Sequence, residues 1–203
     1  MVNQTLSQKK DLTVKDLVTI GIFTALFFVF TLIGGLPFAP NPVLTFYQPM
    51  GSALLCGPIF LLLAARVPKR WAITILGTIV GLFFFATGMH WAMDIGYILM
   101  GIAADLAAGS KKYRSVRMNI LSYMILCLGA TGSFIVFFAD PGGWTGTMLK
   151  KGTEQAYIDT MSASARGWMP AVILLGTIAA AGFSGWAGRR LLKKQFEKAG
   201  ITA

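Results

Sequence analysis

Long apolar segments alternate with short polar connections along the whole chain. Six apolar blocks are each close to the ~20 residues that an α-helix needs to cross ~30 Å of hydrocarbon. They lie at residues 17–36, 48–65, 71–87, 89–108, 118–139 and 168–188. Because backbone polar groups in lipid must be satisfied within their own segment, the spanning element is a helix. The pattern predicts an all-α polytopic membrane protein, with residues 1–203 forming one bundle of six transmembrane helices.

Composition excludes a soluble particle. One or two such blocks are compatible with core helices of a soluble domain, but six are not when only 13% of the residues are charged. The net charge of +10 also raises nucleic acid as a partner. We predict no nucleic-acid partner, because the basic residues are divided among juxtamembrane connections where they contact anionic lipid headgroups.

The basic residues predict the orientation. Of the 18 lysines and arginines, 15 lie in the two tails and in the connections around residues 66–70 and 111–117. With an even number of spans these four places share one side, and basic residues are retained in the cytoplasm. The opposite side carries Lys150, Lys151 and Arg166. Both termini are therefore predicted to be cytoplasmic, in a multi-pass protein of a cell membrane.

Catalytic chemistry finds little support in the sequence. His90 and Asp94 have the spacing of two ligands on a helix, but no third ligand is available at that depth. Cys56 and Cys127 both fall inside apolar blocks, where packing is the usual role. There is no G-x-S-x-G elbow and no phosphate-binding G-x-x-x-x-G-K-[ST] loop. We expect no enzymatic activity, no metal and no cofactor. The alternative functions are a self-sufficient permease or channel and, less favoured, a membrane enzyme that uses His90 and Asp94.

The fourth block carries the ionisable residues that stand out. His90, Asp94 and Tyr97 are spaced i, i+4 and i+7, which predicts one helix face near the outer end. Charged groups within a membrane are functional candidates, so these residues either face a ligand or anchor the helix end. Asp105 lies beside the basic 111–117 connection, which favours an interfacial ion pair or a loop cap.

Two connections on the outer side are longer than the rest. Residues 37–47 contain three prolines, which predicts a stiff, extended segment. Residues 140–167 contain a polar stretch at 148–165 with helical character. Long connections in compact chains are often binding loops or lids, and a solvated linker is the other interpretation.

Small residues recur at intervals of four, a pattern that allows close helix approach. Gly77 and Gly81, and the series from Gly176 to Gly188, predict internal packing of the third and sixth spans. Gly21 and Ala25 lie about one turn inside the cytoplasmic end of the first span, where they suit the docking of a partner helix.

The segment 15–27, Lys-Asp-Leu-Val-Thr-Ile-Gly-Ile-Phe-Thr-Ala-Leu-Phe, resembles the first helix of S components of energy-coupling factor (ECF) vitamin transporters, particularly the Trep-Strep (MptD-like) branch with its HmpT-type proteins. The resemblance implies a transport subunit that binds a vitamin or precursor from outside. It also implies an EcfT-like membrane coupling protein that docks on Gly21 and Ala25, and two cytoplasmic ATPase subunits that supply the energy.

The same resemblance places a substrate site near the outer face, formed by the first outer loop and helices four to six. The residues of this chain in that region are Asn41, Tyr47, Gln48, His90, Asp94, Tyr97, Trp144 and Trp168. Aromatic faces combined with a few polar groups suit an amphipathic heteroaromatic ligand. The branch suggests a pyridine or pyrimidine compound such as pyridoxine or hydroxymethylpyrimidine.

Overall fold

The computed structural model describes residues 11–193, and in this range all regular secondary structure is helical. The terminal lysines used for the orientation prediction, Lys9, Lys10, Lys194 and Lys198, lie outside the described residues. The helices are α1 Val14–Gly35, α2 Gln48–Arg66, α3 Ala72–Ala86, α4 Trp91–Gly109, α5 Val116–Cys127, α6 Gly132–Ala139, α7 Pro141–Lys150, α8 Gln155–Ser164 and α9 Met169–Leu191. Short 3-10 turns, Leu44–Tyr47 and Leu128–Thr131, lead into α2 and α6.

The predicted all-α membrane bundle is confirmed. Within residues 11–193, five helical segments are long and apolar enough to span a membrane: α1, α2 with its 3-10 turn, α4, the continuous α5–α6 segment and α9. The remaining predicted span corresponds to α3, which has only 15 residues. At 1.5 Å per residue α3 is about 22 Å long, short of the ~30 Å of a typical hydrocarbon core.

Glycines set the closest helix approaches inside the bundle. A Cβ placed on Gly77 of α3 would lie 2.7 Å from the carbonyl oxygen of Tyr97 in α4, and one on Gly81 would lie 2.8 Å from that of Asp94. A Cβ on Gly188 of α9 would lie 3.1 Å from the backbone of Pro58 in α2. The prediction that these small residues serve internal packing is confirmed.

A proline interrupts α2 in the middle of the bundle. Pro58 has no N–H, so the carbonyl of Leu54, four residues earlier, lacks its helical donor. Ser184 of α9 donates its hydroxyl to that carbonyl at 2.6 Å and accepts the Gly57 N–H at 3.1 Å. Tyr123 of α5 donates to the carbonyl of Ala53 at 2.6 Å. Side chains from two neighbouring helices therefore satisfy the backbone groups around the break, as a proline in lipid requires.

At the basic end, an ion pair joins α1 to the α2–α3 connection. Thr13 and Asp16 form a capping box at the start of α1, which satisfies two of its free backbone donors. Lys69 binds the Asp16 carboxylate at 2.7 Å. The start of α1 and the α2–α3 connection therefore lie on the same side of the bundle, as the distribution of basic residues predicts.

Asp105 provides a second cap at this end. Its carboxylate accepts the backbone N–H of Trp71 at 2.6 Å and that of Ile73 at 3.4 Å, at the start of α3. Tyr113 donates its hydroxyl to the same carboxylate at 3.1 Å. Of the two roles expected for Asp105, an ion pair or a cap, the structure shows a cap, and the capped element is the start of the short helix α3.

Candidate functional site

Residues 140–167 fold over the outer end of the bundle, opposite the basic connections. We call this segment the outer cover. It contains α8, within the predicted helical stretch, and also α7, which begins at residue 141 rather than at 148. Asp140 accepts the Gly143 N–H at 3.0 Å and Pro141 occupies the first turn. An Asp N-cap followed by proline favours a helix start, and this outweighs the two glycines that follow.

The outer cover packs on an apolar cluster of its own. The cluster joins the first outer loop, α6, the cover and the start of α9 through Phe46, Phe134, Phe137, Trp144, Ile158, Met161, Met169 and Ile173. Trp144 is 4% exposed, and its indole N–H donates to the Ser133 hydroxyl at 3.0 Å. The cover is therefore an ordered part of the bundle rather than a solvated linker.

A cavity of about 260 Å³ lies between the outer cover and the helix ends. Its walls are mainly apolar with a few polar groups: Ala39, Thr45, Gln48, Met89, His90, Met93, Ser133, Phe134, Trp144, Met148, Thr153, Glu154, Tyr157 and Met161. We call it the outer cavity. Such a lining is typical of small-molecule sites, whose volumes begin near 300 Å³, so this cavity suits a ligand about the size of one substituted ring.

His90 provides a defined hydrogen-bond donor in this lining. Its Nδ1 accepts the Ala92 N–H at 3.2 Å, which caps α4 and assigns the proton of the neutral ring to Nε2. The ring is 1% exposed and stacks near Trp144, with the centroids 6.2 Å apart and the planes at 20°. Burial, together with the nearby Lys151 ammonium, holds the pKa of His90 below its ordinary value. The cavity therefore presents a neutral imidazole beside an indole.

Two hydrogen bonds join the outer cover to the rest of the bundle at separate points. Lys151, after α7, donates to the carbonyl of Met89, and its ammonium lies 4.6 Å from the centroid of the Phe85 ring. Tyr157 of α8 donates to the carbonyl of Ala39 in the first outer loop at 2.8 Å. Burial raises the pKa of Tyr157, so its hydroxyl remains protonated as a donor.

The first outer loop is compact, and the prediction of an extended segment is wrong. Phe38 and Ala39 donate their N–H groups to the carbonyl of Gly35, and Thr45 donates to that of Asn41. The Asn41 side chain accepts the N–H groups of residues 43 and 44 at 2.9 and 3.2 Å. Asparagine side chains stabilise turns in this way, and here that turn chemistry overrides the stiffness of the prolines.

The structure brings three of the predicted site residues together in the outer cavity: Gln48, His90 and Trp144. The other five lie elsewhere. Asn41 is exposed in its turn, Tyr47 is half-buried at the start of α2, and Trp168 is 55% exposed before α9. Asp94 and Tyr97 lie along the α3–α4 contact.

The predicted shared face of His90, Asp94 and Tyr97 does not form, because His90 precedes α4 with an extended backbone (φ −64°, ψ 137°). Asp94 lies against Gly81 of α3, and its Oδ1 has no hydrogen-bond partner among the described residues. Tyr97 is 2% exposed and stacks on Phe84, with the ring centroids 5.6 Å apart. Of these three side chains, only that of His90 lines the outer cavity.

Sequence reasoning missed several residues of the lining. Its polar members include Thr45, Ser133, Glu154 and Tyr157, and its methionines are Met89, Met93, Met148 and Met161. The methionines carry a usable signal, because flexible thioether side chains are common at adaptable binding surfaces. The hydroxyl and carboxylate groups carry no such signal, since only the tertiary arrangement of the first outer loop, α6 and the outer cover brings them to the cavity.

The predicted docking pair lies on an open face of α1. Gly21 and Ala25 are both exposed, and a Cβ on Gly21 would meet no atom of another described element within 4 Å. Exposed apolar side chains, including Val18, Ile22 and Val29, surround the pair. Unlike the glycines of α3 and α9, this pair serves no close packing within the described residues.

The helical bundle with several membrane-spanning segments defines the class of this chain as a polytopic integral membrane protein, and the outer cavity is a half-open pocket at one end of that bundle. The family model of a hypothetical bacterial integral membrane protein (Trep_Strep) matches residues 14–198, and the chain belongs to that family. Comparison with curated proteins gave no match, and comparison with solved structures gave none either.

Proposed function

We propose that this chain is the substrate-binding S component of an ECF-type importer in the bacterial plasma membrane. It would capture a small vitamin or precursor from outside and pass it on through an EcfT-like coupling protein driven by two separate ATPase subunits. The observation that carries this proposal is the outer cavity, a half-open pocket that the outer cover lines at the end opposite the basic connections. The proposed function is that of a transport subunit rather than an enzyme.

The lining supports a heteroaromatic ligand such as pyridoxine or hydroxymethylpyrimidine. Trp144 and His90 offer ring faces, and the methionines offer polarizable contacts that adapt to a flat molecule. Gln48 and Glu154 add acceptors that would bind ring or amino N–H groups, and the His90 Nε2–H would donate to a ring nitrogen or hydroxyl. A cavity of about 260 Å³ admits one such ring.

The open face of α1 supports docking of the coupling protein. Small residues let two helix backbones approach closely in lipid, where packing drives association. Gly21 and Ala25 present such a surface, and no atom of residues 11–193 outside α1 covers Gly21. Their position near the basic end suits a partner that is itself connected to cytoplasmic ATPases.

The proposal is tested by separating ligand binding from uptake. We expect Gly21→Leu and Ala25→Leu to abolish uptake in cells while the purified protein keeps its affinity for ligand. Ala179→Leu is the matched control, because it enlarges an exposed small residue on α9 and should change neither quantity. Loss of binding and uptake together would assign the pair to the stability of this chain and contradict the docking role.

Gentle purification gives an independent check. An S component should bring down one membrane coupling protein and two ATPases, and the Gly21→Leu variant should not. Uptake by the wild-type chain reconstituted alone, without these partners, would instead identify a self-sufficient permease.

A further inference from the structure

A second cavity of about 300 Å³ lies at the basic end, away from the outer cavity. It is a groove between the start of α3 and the end of α4. The lining residues are Arg70, Trp71, Thr74, Ile102, Asp105, Leu106, Gly109 and Tyr113. The proposed transport function uses none of them.

Residues with a left-handed backbone conformation lie in both walls of this groove. Trp71 has φ 74° on one wall, and Lys112 and Tyr113 have φ 53° and 61° on the connection that forms the other. Among residues 11–193 these are the non-glycine residues with positive φ, and such conformations persist only where surrounding contacts hold them. Asp105 supplies those contacts, since it accepts from the Trp71 N–H and from the Tyr113 hydroxyl.

The charge presented by the groove is that of Arg70. Both Asp105 oxygens already accept hydrogen bonds, and the carboxylate lies at the N-terminus of α3, where the helix dipole offsets its charge. Arg70 is exposed, with its guanidinium 5.7 Å from the centroid of the Trp71 ring. It forms no ion pair with a carboxylate in the part of the chain that the structure describes.

An apolar track leads from the groove toward the middle of the membrane. Ile95, Leu99, Ile102 and Leu106 are spaced i, i+4, i+7 and i+11 on α4 and are 44, 54, 37 and 61% exposed. Eleven residues of helix extend about 16 Å, a length comparable to most of an acyl chain. Trp71, 54% exposed, lines the groove beside Ile102 and Leu106 at the basic end of the track, and tryptophan is enriched where a membrane meets water.

We propose that this groove binds an anionic phospholipid of the cytoplasmic leaflet. The phosphate binds the Arg70 guanidinium, and one acyl chain follows the α4 track from Leu106 toward Ile95. A free phosphate would use the arginine but not the track, and an acidic protein segment would not require a lipid-facing groove. The combination of one cation with a continuous apolar stripe selects a lipid.

The test compares phosphatidylglycerol with phosphatidylcholine on the purified full chain. We expect native mass spectrometry to retain one phosphatidylglycerol per wild-type chain, and thermal unfolding in mixed micelles to shift upward with that lipid only. Arg70→Gln should weaken retention about tenfold or more, which is the loss of one charged hydrogen bond. Arg66→Gln removes an exposed basic residue at the end of α2, outside the groove, and should leave retention unchanged.

Three outcomes would overturn the proposal. Equal losses in Arg70→Gln and Arg66→Gln would show diffuse attraction to the whole basic end. Equal retention of phosphatidylcholine would show that apolar filling alone suffices. The same thermal shift with inorganic phosphate would assign the site to a soluble anion.

Discussion

His90 is the only histidine of the chain and it titrates in a buried position. Because its pKa is lowered on folding, the unfolded chain takes up a proton that the folded chain resists. Stability should therefore be fully present above the unfolded pKa of about 6.5 and decline as the pH falls from there toward the lower pKa of the folded state. We expect the melting temperature of the ligand-free protein to fall between pH 7 and pH 5.

His90→Asn is the control for this pH dependence. Asparagine keeps a side-chain acceptor for the Ala92 N–H at the N-cap but does not titrate. The melting temperature of His90→Asn should change less with pH than that of the wild type over the same range. Equal slopes in the two proteins would assign the pH dependence to other groups.

The contribution of Asp105 to the stability of the protein can be measured with a single substitution. Asp105→Ala removes the acceptor for two backbone N–H groups of the α3 start and for the Tyr113 hydroxyl. Each hydrogen bond to a charged group contributes about 1.5–3 kcal/mol, so we expect a loss of about 3 kcal/mol or more in the free energy of unfolding. Asp140→Ala, which removes an exposed helix cap, should cost only about 1 kcal/mol. Similar costs in the two variants would contradict the account of α3.

At the level of elements, the proline break in α2 couples the stability of α2 to a side chain of α9. Ser184→Ala leaves the Leu54 carbonyl and the Gly57 N–H without their partner, which should cost about 1–3 kcal/mol. Pro58→Ala restores a backbone donor to the Leu54 carbonyl. In the Pro58→Ala background, Ser184→Ala should therefore cost less, as measured by a double-mutant cycle of unfolding free energies. Strictly additive effects would show that Ser184 does not compensate for the proline.

The helices themselves were predictable from the sequence, because a bilayer imposes both length and apolar composition on each span. The outer connections were less predictable. Proline at 37, 40 and 42 indicates stiffness, yet Asn41 and successive backbone hydrogen bonds turn the chain back on itself. The α7 start at Asp140 and Pro141 was hidden by two glycines. Local capping hydrogen bonds determine where such segments turn or begin a helix, and the hydropathy pattern contains no information about these bonds.

At the level of the whole molecule, the site was predictable only in part. Gln48, His90 and Trp144 are polar or aromatic residues at the outer ends of apolar blocks, a position that indicates a site. Tyr157 and Met161 line the cavity because the outer cover folds onto the bundle. This tertiary packing leaves no periodic pattern in the sequence. Asp94 was assigned by helical spacing from His90, but His90 lies outside the helix that carries Asp94.

The topology of the molecule can be tested by labelling single cysteines with an impermeant thiol reagent in intact cells. Positions 70 and 112 should be protected, and positions 150 and 166 should react, since all four side chains are exposed on the structure. The native Cys56 and Cys127 are buried and should stay unreactive. Labelling at 70 or 112 from outside would contradict the proposed orientation.

We propose that the outer cavity holds a small heteroaromatic molecule, which mass spectrometry can identify after its release from gently purified protein. We expect one such molecule per wild-type chain. Met161→Trp should release almost none, because it fills the cavity, whereas Thr160→Trp, which enlarges an exposed neighbour on α8, should release the wild-type amount. Thermal unfolding should show that both variants are folded. Equal release from Met161→Trp and the wild type, or no release from any of the folded proteins, would contradict the account.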